Sequence, residues 1–266
     1  MSSWTALDLH RRADGVAVLT MNRPAVFNAF DELLIAELDA AFALLGGDAS
    51  VRVIVLAGAG KHFSAGADLQ WMQRAAAASQ DDNLADARRF SAMLARIAGC
   101  PKPTIARVQG AALGGGVGLV AACDMAVASD AASFVVSEAR MGILPAVIAP
   151  YLVNAVGLRQ ARWLALTASR ITADEALRVG LVQRVVPADV LDTTVDACVT
   201  DLLACGPQAQ AEIKQLYARL APGPVTGEVR ELTAQTIARV RTTAEAREGF
   251  AAFLGKRKPN WTPPSE

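Results

Sequence analysis

The order of apolar and polar residues predicts most elements of the first half of the chain. "VAVLTM" (16–21) alternates in the manner of a half-buried strand, and "WTALDLHRR" (4–12) precedes it across a turn at Asp14-Gly15. Asn22-Arg23-Pro24 ends the second strand. "DELLIAELDAAFALLGG" (31–47) has apolar residues at helical spacing, with Asp31 as its cap and Gly46-Gly47 as its stop. "VRVIVLAG" (51–58) is continuously apolar and reads as a strand covered on both faces. A loop, "GAGKHFSAGADL" (58–69), leads into helical sequence. The small and polar stretch 75–82 is expected to be mobile, and "NLADARRFSAMLARIAGC" (83–100) to be a helix.

Pro101 and Pro103 break the pattern before a strand in "TIARVQG" (104–110). The glycine cluster 114–118 opens a helix, and "DMAVAS" (124–129) and "SFVVSEA" (133–139) read as short strands. Beyond Pro145 nearly everything reads as helix except "LVQRVVP" (181–187), and "APGPVTG" (221–227) separates two C-terminal helices. Strand, strand and helix thus alternate in the first half, and helices fill the second. The pattern predicts an α/β protein.

Composition narrows the function classes. Of 266 residues, 53% are hydrophobic and 20% charged, which suits a large buried core. Lys plus Arg equals Asp plus Glu at 26 each, so the net charge offers no field for nucleic acid or an anionic membrane. The four cysteines (100, 123, 198 and 205) form no CxxC pair, and the two histidines, His10 and His62, stand far apart. No metal spacing results, and the cysteines read as small buried apolar residues. No apolar signal core or membrane-length run occurs, so a soluble cytoplasmic protein is expected.

Two loops could carry chemistry. Phe63–Asp68 ("FSAGAD") and Leu113–Gly116 ("LGGG") each follow a predicted strand and precede a helix. Helix N-termini expose unpaired N–H groups and partial positive charge. Two such ends aimed at one point would make an oxyanion hole. "GAGKH" (58–62) lacks the ending of a nucleotide-binding P-loop, and Gly114, Gly116 and Gly118 do not give the dinucleotide fingerprint. Gly114 to Gly118 also has the spacing of a helix-packing motif.

Together, "HFSAGADL" and "QGAALGGGVGLVAACDMAVAS" resemble the two signature loops of the crotonase superfamily, the enoyl-CoA hydratase/isomerase family. The resemblance runs from "GVAVLTMNRPAVFNAF" through "ITADEALRVGLVQRVVP" to "AREGFAAFLGKRKPNW". It implies a crotonase-like spiral of ββα units (1–200) carrying the acyl-CoA site. A helical C-terminal region (201–266) would drive assembly into a homotrimer or a hexamer. It implies an acyl-CoA thioester substrate, no separate cofactor, no metal and no nucleic-acid or membrane partner.

By the same resemblance, the N–H groups of Ala67 and Gly115 bind the thioester oxygen. Ala65, Gly66, Asp68 and Leu69 line the coenzyme A path, with Arg23, Ala25, Phe27 and Ala29 as its first segment and Gly114 beside the oxyanion site. Phe250, Phe253 and Lys256 would approach the coenzyme, in this subunit or a neighbour. Glu138 is expected to hand a proton to Cα, and partial burial would raise its pKa. Trp71, Met72, Met93, Met141, Ile143 and Leu144 are expected around the acyl group. Arg74 and Arg140 are possible partners for a substrate carboxylate.

One position departs from the family. Hydratases of this kind carry a second glutamate one helical turn after the oxyanion glycine, where this chain has Gly118. Three readings follow. The first is a hydratase resembling bacterial 3-methylglutaconyl-CoA and isohexenylglutaconyl-CoA hydratases, in which Glu138 alone or a substrate carboxylate activates the water. The second is a Δ3,Δ2-enoyl-CoA isomerase using Glu138 alone. The third is a non-catalytic acyl-CoA-binding member.

Overall fold

The computed structural model describes residues 4–262. Its main sheet has six strands: β1 (Leu7–Arg11), β2 (Val16–Met21), β3 (Val53–Gly58), β4 (Thr104–Val108), β6 (Met125–Ser129) and β9 (Arg184–Val186), in the order β1-β2-β3-β4-β6-β9. All neighbours pair in parallel except β1 with β2, which form the expected hairpin. A second sheet joins β5 (Ala111–Leu113), β7 (Ser133–Val135) and β8 (Ile171–Thr172) in the order β5-β7-β8.

Helices α1 (Glu32–Gly47), α2 (Leu69–Ala77), α3 (Gln80–Ala98) and α4 (Gly115–Ala122) connect the strands of the first half. They are followed by α5 (Ala149–Thr167), α6 (Ala173–Val179), α7 (Leu191–Leu203), α8 (Pro207–Tyr217), α9 (Gly227–Arg241) and α10 (Ala244–Leu254).

Strand alternation sorts the sheet's side chains into two cores. Leu19, Met21, Ile54, Leu56, Ala106 and Val108 face the larger one, with Leu34, Leu38 and Phe42 of α1, Met93, Leu94 and Ile97 of α3 and Leu119 of α4. Val16, Val53, Val55, Ile105 and Val127 face the other, under Leu191, Val195, Val199 and Leu203 of α7. β3 is covered on both faces, as its unbroken apolar run implies.

Several local expectations change. The stretch 75–82 is largely helical: α2 runs to Ala77 and α3 begins at Gln80, with the Ser79 side chain accepting from the Asp82 N–H. Only Ala78 and Ser79 separate them. The strand expected through Ala139 ends at Val135, and Glu138 opens a 3-10 turn, Glu138–Met141. Strands β5 and β8 are too short to show an alternation. Of the cysteines, Cys100, Cys123 and Cys198 are buried, while Cys205 is exposed.

Ligand sites in parallel sheets form beyond the C-terminal strand ends, where helix N-termini point outward. Here β3 and β4 end side by side. The chain leaves β3 for α2, and leaves β4 through β5 for α4.

Candidate active site

The loop from β3 to α2 is shaped by buried side-chain hydrogen bonds. Asn28 is fully buried, has a left-handed backbone (φ 55), and donates from Nδ2 to the carbonyls of Ala59 and His62, each at 2.9 Å. The Ser64 hydroxyl donates to the Asn28 carbonyl (2.8 Å) and accepts from the Gly66 N–H (3.3 Å). Phe30 pairs with the loop in parallel: its N–H donates to the Gly66 carbonyl, and its carbonyl accepts from the Asp68 N–H. Parallel pairing of this kind turns the N–H of the intervening residue away from the partner strand. That residue is Ala67.

The second donor belongs to Gly115, the first residue of α4, where an N–H has no intrahelical partner. No carbonyl among the described residues accepts from Ala67 or Gly115. The two loops abut. A Cβ on Gly66 (φ 83) would lie 2.8 Å from the Leu113 carbonyl oxygen, so a side chain there would force them apart. Ala67 and Gly115, whose N–H groups have no carbonyl partner among the described residues, line the same cavity.

Glu138 lines the same cavity. A Cβ on Gly114 (φ 48) would stand 3.2 Å from Glu138 Oε1, so the carboxyl lies against the residue preceding the second donor. Glu138 Oε2 is buried without a hydrogen-bond partner. Burial pushes the Glu138 pKa above its usual value, outweighing nearby backbone hydrogen bonds. An unpartnered buried carboxyl oxygen is costly, and its position in a cavity suits a group that exchanges protons with substrate.

This cavity, bounded by Phe30, Trp71, Phe90, Met141, Leu144 and Ile148, has a volume of about 500 Å³. A second cavity of 670 Å³ is lined by Arg23, Ala25, Phe27, Ala29, Ala65, Asp68 and Leu69. The two share Ala67, Met72, Ser137 and Met141, and so form one path past the oxyanion donors. Arg23 braces this path by pairing with Asp31 (2.8 Å) and Asp68 (3.3 Å) and donating to the Ala29 carbonyl. Asp68 also caps α2, accepting from the Gln70 and Trp71 N–H groups.

Trp71, Met72, Met141, Ile143 and Leu144 line the acyl cavity as expected. Met93 does not: it is fully buried in the core. Arg74 pairs with Glu32 beside a separate small cleft, and Arg140 lines neither cavity. Phe250, Phe253 and Lys256 are not brought to the path within this chain. Phe250 lines a groove between α8 and α10, Phe253 is 83% exposed, and Lys256 lies just beyond α10. Sequence reasoning missed Phe30, Asn83, Asp86, Phe90, Ser137 and Ile148, whose places depend on how segments distant in the chain pack together.

Gly118, expected among the substrate-binding residues, is not among the residues lining either cavity. Its missing side chain leaves no vacancy, because a Cβ there would lie 2.3 Å from Ile148 Cγ2 and 2.9 Å from Ile148 Cβ. Ile148 is 2% exposed and lines the acyl cavity. An apolar side chain thus packs over the position of the family's other glutamate.

The model of the family described as enoyl-CoA hydratase/isomerase matches residues 11–264. The chain belongs to the enoyl-CoA hydratase/isomerase family. It is 32% identical over 249 residues to the short-chain-enoyl-CoA hydratase of Clostridium acetobutylicum, covering 91% of this chain and 92% of that protein. An enoyl-CoA hydratase structure from Shewanella pealeana superimposes with a TM-score of 0.93 at 38% identity, covering 97% of this chain and 96% of that one. AtuE from Pseudomonas aeruginosa gives 0.92 at 40% identity, covering 97% and 100%. The fold is therefore the crotonase fold. Among the described residues, no helix is long and apolar enough to cross a membrane.

Proposed function

We propose that this chain hydrates the 2,3-double bond of a 2-enoyl-CoA thioester, with Glu138 as its single proton carrier. The carrying observation is the unpartnered Glu138 carboxyl beside Gly114, in a cavity that also receives the free Ala67 and Gly115 N–H groups. The thioester oxygen accepts from both N–H groups. Ionised Glu138 takes a proton from water as its oxygen bonds to Cβ, and electron density moves onto the thioester oxygen. Glu138 then returns that proton to Cα, and the enolate collapses to the 3-hydroxyacyl thioester. Each oxyanion donor of this type is worth about 3–4 kcal/mol of transition-state stabilisation. A raised Glu138 pKa strengthens it as the base toward water. Coenzyme A is part of the substrate, and the steps draw on no further cofactor.

The resemblance to glutaconyl-type hydratases would require a cation for the second carboxylate. Among the described residues, no Lys or Arg lines the acyl cavity, which favours an uncharged acyl chain. Incubation with crotonyl-CoA tests the proposal: loss of the conjugated thioester with formation of 3-hydroxybutyryl-CoA is expected, and the absence of turnover would defeat it.

Ile148 over Gly118 favours a second reading, Δ3,Δ2-enoyl-CoA isomerisation, because moving a proton between carbons needs one carboxylate and no water. A 3-enoyl-CoA converted to its 2-isomer without any 3-hydroxyacyl product would establish it in place of hydration. A non-catalytic role would leave both substrates untouched. We also infer a homotrimer or a dimer of trimers, supported by the exposure of Leu166, Phe250, Phe253 and Leu254, and sedimentation at a monomer mass would overturn that assignment.

A further inference from the structure

The wall of the acyl cavity formed by α3 changes character along its length. Phe90 packs closest to the oxyanion donors: a Cβ on Gly115 would lie 2.9 Å from Phe90 Cζ. Phe90 is flanked by Phe30 and, edge-on, by Trp71. Four residues earlier stands Asp86, and three before that Asn83, and both line the same cavity. Helical rise puts Asp86 about 6 Å and Asn83 about 10 Å from Phe90 along α3. The reacting carbons therefore lie beside Phe90, and Asp86 meets the far end of the acyl chain. Asp86 and Glu138 are the charged residues lining this cavity among those described.

Both polar side chains on this wall present acceptors. One oxygen of Asp86 accepts from Arg89 Nη2 (2.9 Å), and no partner among the described residues engages the other. The Asp86 side chain is 16% exposed, against 56% for Arg89, which faces the adjoining cleft. The Asn83 amide donates to the Ala75 carbonyl (3.0 Å) and the Ala78 carbonyl (3.5 Å), leaving its Oδ1 as the free end. A terminal carboxylate would meet the negative charge of Asp86, whose side chain is 16% exposed, and the lone pairs of Asn83. A terminal hydroxyl would donate to them.

We propose that Asp86, with Asn83, is the distal specificity element of the acyl site, admitting uncharged tails, favouring one that ends in a hydroxyl, and rejecting one that ends in a carboxylate. This rests on the acyl-CoA reading above, but concerns binding and not the reaction. The test is competition binding of three saturated thioesters of matched length: pentanoyl-CoA, 5-hydroxypentanoyl-CoA and glutaryl-CoA. In the unaltered protein, glutaryl-CoA is expected to bind at least tenfold more weakly than pentanoyl-CoA, and the hydroxy form more tightly than pentanoyl-CoA. Asp86→Asn should shrink the glutaryl penalty to within threefold, and Asp86→Ala should abolish the hydroxyl preference. Arg89→Ala, which removes the paired cation, should widen the penalty.

Equal binding of glutaryl-CoA and pentanoyl-CoA would overturn the proposal. So would an unchanged ratio in Asp86→Asn, or a narrowed glutaryl-CoA penalty in Arg89→Ala. Because these ligands cannot be hydrated, the outcome is independent of whether the hydratase reading survives. If none of the three binds, the acyl-CoA assignment itself fails along with the selectivity.

Discussion

Replacing Gly118 with alanine sets two effects of opposite sign against each other. Gly118 is an interior residue of α4, and its φ lies outside the left-handed region. Helix propensity alone makes glycine to alanine stabilising by about 1 kcal/mol. The added methyl, however, would stand 2.3 Å from Ile148 Cγ2 and 2.9 Å from Ile148 Cβ. Overpacking of a close-packed site costs about 1–3 kcal/mol, and contact this deep belongs at the upper end. The net expectation for Gly118→Ala is a loss of about 2 kcal/mol, read as a lower urea midpoint with an unchanged slope. Ile148→Ala should cost about 2–5 kcal/mol as a buried truncation. In the double variant the clash is largely relieved, so the losses should fall short of their sum by about 1–3 kcal/mol. The same packing bears on activity. Gly118→Glu alone should not raise crotonyl-CoA hydration, whereas combined with Ile148→Ala it should exceed the Ile148→Ala rate. A neutral or stabilising Gly118→Ala, with strict additivity, would refute the claim that Ile148 occupies the site.

Other outcomes follow from the same geometry. Glu138 works ionised in hydration, so activity should fall as pH drops through its raised folded-state pKa, which lies above the ordinary carboxyl value of 4.5; a kcat/KM profile checks this. For stability the sign reverses: the contribution of protonated Glu138 is present below its unfolded pKa and lost as pH rises through the folded one, so Glu138→Gln should unfold at higher temperature at neutral pH. His62 Nδ1 accepts from the Ala111 N–H (3.0 Å), and burial lowers its pKa from 6.5. That stability is complete above the unfolded pKa and lost as pH falls through the folded value, and His62→Ala should remove the dependence in urea titrations across this window. Ser64→Ala should cost about 1–3 kcal/mol by leaving buried partners unpaired. It should also lower kcat by loosening the Ala67 loop.

The central strands and the flanks of the site were legible because their signals are local. β2 and β3 declare themselves by alternation and by an unbroken apolar run, and Gly66 and Gly114 by their place in two glycine loops, where the structure gives both a positive φ. Ala67 and Gly115 were reached through the family's loop pattern, and the geometry then supplied their free N–H groups. What escaped the sequence depends on distant packing. Met93 has the same chemistry as Met72, yet the face of α3 it occupies points into the core. Nothing near Gly118 in the chain announces Ile148, thirty positions on, and nothing in the charge of Asp86 says that it borders the acyl cavity. Phe250 and Phe253 follow the family pattern but do not reach the path within one chain.

The central claim is that Glu138 carries the proton to an enolate held by Ala67 and Gly115. The most direct measurement is turnover of crotonyl-CoA in D₂O by the unaltered protein and by Glu138→Gln, with both shown to fold and to bind a saturated acyl-CoA. The unaltered protein is expected to yield 3-hydroxybutyryl-CoA with one deuterium at Cα, and the variant to be slower by about 10²–10⁴-fold. A Glu138→Gln protein that hydrates within fivefold of the original rate, with the same deuterium content, would contradict the account.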